Sequence, residues 1–177
     1  HLLRTIEIPD SVAYMGESVF YDCRILIRVD LPNGITRIGD KTFYNCRELK
    51  RVTIPEGITH IGKETFGGCN NVSKILLPKT LANIGEAAFF QCYSIMKLEI
   101  PNGVTNIEKR AFASCDNLTS ITLPNSITHI NTRTFSFCRN LIDIKLPDSL
   151  THIGIEAFNN CSSLTKIDIP NSLIHIG

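Results

Sequence analysis

The chain has 177 residues, of which 43% are apolar, and carries a formal net charge of +1 from 18 basic and 17 acidic side chains. That balance excludes a bulk field favouring nucleic acid or an anionic membrane surface, while the apolar share is large enough for a continuous core. Apolar runs such as Ile75-Leu76-Leu77 are far too short to span a bilayer.

One period governs the chain from its first residues onward. The prolines Pro9, Pro32, Pro55, Pro78, Pro101, Pro124, Pro147 and Pro170 recur every 23 residues, and so do Cys23, Cys46, Cys69, Cys92, Cys115, Cys138 and Cys161. A period this strict means one short unit stacked many times, with each unit burying its apolar side against its neighbours. The units run 3–25, 26–48, 49–71, 72–94, 95–117, 118–140 and 141–163, with a partial eighth from Leu164. Residues 1–177 thus read as a single repeat domain. Neither end carries a polar capping segment, so the chain is expected to be part of a longer array.

Within one unit, Leu49 to Asn71, the elements follow in order. Val52 and Ile54 alternate with polar residues and predict a short strand with both facing inward. Pro55 ends it, because proline has no N–H for the ladder. Glu56-Gly57 is a turn, and Ile58-Thr59-His60-Ile61 reads as a second extended segment. Gly62 marks a corner where a positive φ is expected. Glu64-Thr65-Phe66 is assigned one helical or 3₁₀ turn, and Gly68-Cys69-Asn70-Asn71 returns the chain to the next strand. Glu108 and Asn131 stand in place of the corner glycine in two units. The inward columns are Ile6 to Ile167 on the first strand, Met15 to Ile176 on the second, and Phe20, Phe43, Phe66, Phe89, Phe112, Phe135 and Phe158 on the far side. Parallel stacking at roughly 4.8 Å per rung makes eight rungs roughly 35–40 Å long. The bulkier phenylalanine side is expected to widen its face and leave the strand side concave.

The pattern LxxIxIPxxIxxIGxxxFxxC resembles the BspA-like, or treponemal-type, class of leucine-rich repeats, and the resemblance covers nearly the whole chain. It implies a right-handed leucine-rich-repeat solenoid with a parallel β-sheet on the concave face and short second strands and helical or 3₁₀ turns opposite. It also implies a non-catalytic binding scaffold, often at a cell surface and linked to adhesion, with host or matrix proteins as candidate partners.

The polar columns are candidates for chemistry. Stacked cysteines fall at a separation of about 5–6 Å, compatible with a disulfide. An odd number precludes complete pairing, and no C-x-x-C pair is present. The column reads as small buried thiols at a tight turn. His60, His129, His152 and His175 share a register with Tyr14, Arg37, Asn83 and Asn106, which points to a solvated polar ladder in place of a metal site. A mild acid sensitivity of the C-terminal rungs follows from stacked imidazolium groups. The sequons Asn71-Val72-Ser73, Asn117-Leu118-Thr119 and Asn160-Cys161-Ser162 matter only in a protein secreted from a eukaryotic cell. No G-x-S-x-G, H-E-x-x-H, Walker A or dinucleotide motif occurs, so neither an enzyme nor a cofactor is expected.

The outward positions of the first strand hold the candidate site. Arg28, Arg51, Lys74 and Lys97 form a basic stripe over four rungs, and Leu76 is predicted to point outward beside Lys74. Cations flanking an apolar anchor have the layout of a protein-binding surface. The competing reading is a solvated sheet in which Asp30 and Glu99 neutralise the bases. The stripe lacks interleaved aromatic residues, which argues against nucleic acid. The expected function is protein binding at a cell surface or in a secreted protein. The alternative is a cytoplasmic scaffold or regulatory array with reduced thiols.

Overall fold

In the computed structural model, which describes residues 2–177, successive repeats form parallel rungs of a solenoid. The first-strand ladder contains Thr5–Glu7, Arg28–Asp30, Arg51–Thr53, Lys74–Leu76, Lys97–Glu99, Ser120–Thr122 and Asp143–Lys145. Equivalent residues pair, as in Val52 with Ile75 and Ile121 with Ile144. The central residue of each of these strands from Val29 onward is buried and its neighbours face outward, as a period of two requires. The second-strand ladder is narrower, two residues per rung from Tyr14–Met15 to His175–Ile176. Between them lies a core of aliphatic columns in which Ile35, Leu49, Ile58, Leu81 and Ile84 are fully buried.

The segment assigned a helical or 3₁₀ turn forms no helix and is a third ladder of linked turns. In each rung three amides donate to carbonyls 22 residues on, for example Ala87 to Lys109 (3.0 Å), Phe89 to Ala111 (2.8 Å) and Gln91 to Ala113 (3.0 Å). Turns of the type Phe90 N–H to Ala87 C=O close within the rung. Pointing alternate amides along the stack requires two left-handed residues per rung, such as Ala87 (φ 51°) and Gln91 (φ 59°). Nearly all are non-glycine, Gly68 being the exception, so the stack holds them against a local preference of about 1–2 kcal/mol each. Gly62, expected at positive φ, is not among them. Its need for glycine is close approach, since a Cβ there would sit 2.3 Å from Asp40 Oδ1.

The phenylalanine column runs along this third side. Neighbouring rings from Phe20 to Phe158 lie 5.4–5.7 Å apart with planes within 12° of parallel. Phe43 to Phe135 are fully buried. This is the offset-stacked arrangement that aromatic quadrupoles favour.

The ladders are not continuous. The second breaks between Ile38 and Ile61, where the Asp40 carboxylate accepts from Lys63 N (2.8 Å). It breaks again between Ile107 and Ile130, where Asn131 Nδ2 donates to the Ile107 carbonyl (2.6 Å) that a backbone amide takes in other rungs, such as Gly85 N to Ile61 O. The first ladder breaks between Lys74–Leu76 and Lys97–Glu99. The strand expected around Ile167 is also absent. Lys166 and Asp168 pair with each other at 2.7 Å, both exposed.

Candidate functional site

The strand face presents the residues flanking each buried central side chain. Arg28, Arg51 and Lys74 are neighbours in register, and all three are exposed. Leu76 points outward next to Thr53 and is 42% exposed. Lys97 is exposed but belongs to the next sheet, in register with Ser120, so the stripe crosses the break in the ladder between its third and fourth members.

The cations differ in their partners. Arg28 is held by Asp30 of its own strand, 2.8 Å from guanidinium to carboxylate, so the neutralised reading applies there. Arg51 has Thr53 at the corresponding position and Lys74 has Leu76, so their strands supply no acid. Among the described residues no carboxylate lies within 4.0 Å of Arg51, Lys74 or Lys97. Glu99, which with Asp30 would neutralise the bases on the competing reading, lies on Lys97's strand without pairing to it. The centre of the face therefore holds unpaired cations around an exposed leucine.

The cysteine column does different work. All seven cysteines are unpaired and buried. From Cys46 onward each Sγ donates to the phenylalanine carbonyl of the preceding rung, as in Cys69 to Phe43 (3.0 Å) and Cys92 to Phe66 (3.1 Å). Burial pushes Cys46 up to about 12 and Cys161 to about 11, and holds Cys69, Cys92 and Cys115 well above the ordinary thiol range. These are protonated structural donors, without the thiolate that nucleophilic chemistry requires.

The sequence profile of the BspA-type leucine-rich repeat region matches residues 1–117 and 88–177, in 6 copies. The chain belongs to the BspA-type leucine-rich repeat family. A leucine-rich repeat protein from Bacteroides ovatus superposes with a TM-score of 0.96 at 35% identity, over 98% of this chain and 48% of the other. The T. pallidum leucine-rich repeat protein superposes with a TM-score of 0.86 at 29% identity, over 92% of this chain and 78% of that one. A leucine-rich repeat protein from Eubacterium ventriosum, 20% identical with a TM-score of 0.56 over 98% of this chain and 63% of the other, shares the fold. No curated protein matches the sequence. The chain spans about half the length of the B. ovatus protein.

On this BspA-type array the histidines form a stack. The ring centroids of His129 and His152 lie 4.4 Å apart with planes 6° from parallel, and those of His152 and His175 lie 5.8 Å apart at 36°. The hydroxyls of Thr128 and Thr151 engage Nδ1 of His129 and His152 at 2.9 and 2.8 Å. Among the described residues no three His, Cys, Asp or Glu side chains converge to hold a metal. Desolvation, with repulsion from His129 and His175, lowers the pKa of His152. The folded state therefore binds fewer protons than the unfolded one as pH falls through 6.5, and the stability from this group, present above that value, is lost below it. The denaturation midpoint is expected to fall from pH 7.5 to 5.5, and His152→Asn, which copies Asn83 and Asn106 of the same column, is expected to flatten the profile.

Three features of the molecule had no reading from sequence. The left-handed pair at each turn is masked by ordinary residues at its first position. At the second, Asp22, Asn45, Gly68 and Asn160 carry a usable signal, since such residues tolerate that conformation. The thiol–carbonyl bonds and the break in the first ladder leave no mark at the level of residue types. The sequon asparagines Asn71, Asn117 and Asn160 are all exposed.

Proposed function

We propose that this BspA-type array is a non-catalytic protein-binding scaffold acting through its strand face, the concave side on the sequence reading, with cell-surface adhesion as its setting. The observation carrying this is the cluster of unpaired Arg51, Lys74 and Lys97 around exposed Leu76 on strands fixed by the stack. Side chains on paired strands lose little ordering entropy on association, which favours recognition by a preformed surface. The surface setting rests on family membership, and antibody labelling of intact cells tests it.

Affinity capture by the full-length protein, followed by charge reversal, tests the face. Arg51→Glu with Lys74→Glu is expected to weaken binding of the captured partner at least about tenfold, roughly 1.4 kcal/mol, and to reduce its salt dependence. Unchanged affinity moves the site to the turn side.

A further inference from the structure

The break in the first ladder differs from the other two. In the second ladder, Asp40 and Asn131 bridge the breaks with their side chains. Between Lys74–Leu76 and Lys97–Glu99 neither a backbone nor a side-chain hydrogen bond crosses. Most Cα pairs between these strands lie more than 8 Å apart, wider than the roughly 4.8 Å of a paired ladder. The same rungs remain closed elsewhere. Asn83 pairs with Asn106 in the second ladder, and Phe89 stacks on Phe112 at 5.4 Å. The opening is therefore a wedge confined to the strand face.

A groove of ≈ 750 Å³ lies at the wedge, and its lining includes Lys74, Leu76, Lys79, Lys97, Leu98 and Glu99. Lys79 is exposed, and its ammonium, like those of Lys74 and Lys97, has no carboxylate within 4.0 Å, while its backbone amide donates to Glu56 Oε2 at 2.9 Å. Lysines thus outnumber the groove's one acid, and its strand edges lack partners. Open parallel edges recruit another strand unless blocked. Here the surrounding charge selects which strand.

We propose that this opening receives an extended acidic segment of a partner protein, its backbone pairing with the open edges, its carboxylates on the outward face against Lys74, Lys79 and Lys97, and its alternate apolar residues turned inward against Ile75 and Leu98. This is strand addition with charge selection. It rests on the protein-binding reading of the strand face and narrows that reading to one rung interval and one partner chemistry.

The test uses a fluorescein-labelled, end-capped peptide of four Glu-Val pairs, its Lys-Val counterpart, and a Glu-Val peptide N-methylated at alternate residues. The Glu-Val peptide is expected to bind with strong salt dependence, and the Lys-Val peptide at least tenfold more weakly. The N-methylated peptide is also expected to lose at least tenfold, because it cannot complete a ladder. Lys97→Glu is expected to remove binding, and Lys145→Glu, two strands from Lys97 in the same sheet and away from the opening, to leave it unchanged, with circular dichroism confirming that both fold. Equal binding of the two charge types, or no loss on N-methylation or Lys97→Glu, overturns the proposal. If the captured partner still depends on Arg51 and Lys74 in that case, only the wedge falls. If it does not, the strand-face reading falls as well.

Discussion

Replacing Phe89 by alanine is expected to destabilise the array by about 3–5 kcal/mol. Phe89 is fully buried and stacks on Phe66 at 5.6 Å and Phe112 at 5.4 Å, so truncation removes two ring contacts and opens a void between rungs. The rungs on either side are held in register by the amides of Phe66 and Phe89 donating to Ala88 and Ala111, which restrains the collapse that would refill the void. Phe158 provides the contrast. Within residues 2–177 it is half-buried and stacks on Phe135 alone, so in the 177-residue chain Phe158→Ala is expected to cost less than half as much. Urea denaturation of both variants checks the pair. Equal, small losses would mean that the aromatic column fills space without bracing the stack.

Ile84→Asp is expected to have the other large effect, about 5 kcal/mol at pH 7. Ile84 is fully buried, with Ile61 and Ile107 as its register partners, so no side chain on its ladder can pair with a carboxylate. Losing the isoleucine accounts for about 1.5–3 kcal/mol. Desolvation adds the rest by raising the carboxyl pKa, up to 3–5 units for full burial. Because the folded-state pKa lies above the unfolded value of about 3.9, the variant loses stability as pH rises through about 4 to 7. Part of the loss is therefore expected to return at pH 4. A pH-independent deficit would show that the rungs part locally and hydrate the carboxylate.

The period made most of this architecture legible. Stacking depends on equivalent residues meeting every 23 positions, and that spacing is written in the prolines, the cysteines and the apolar columns alike. The inward columns, the strands and the proline stops follow from alternation and missing N–H groups, both local properties. What stayed hidden depends on neighbouring rungs. The turn side takes left-handed residues such as Lys41, Ala87 and Arg110 because stacking amides across rungs outweighs their own preferences. Gly62 faces Asp40 of the preceding rung and not a tight dihedral. The candidate site was half legible. Exposure of Arg28, Arg51, Lys74, Leu76 and Lys97 follows from the strand pattern, whereas the ion pair that ties down Arg28 and the break between Lys74 and Lys97 emerge only once side chains and rungs are placed.

Hydrogen exchange of the full-length protein with its captured partner tests the central claim most directly. The account predicts slowed exchange at amides of 51–53, 74–77 and 97–100, with the turn ladder at 86–91 unchanged. Protection confined to the turn ladder, with the strand face exchanging as in the free protein, would contradict it.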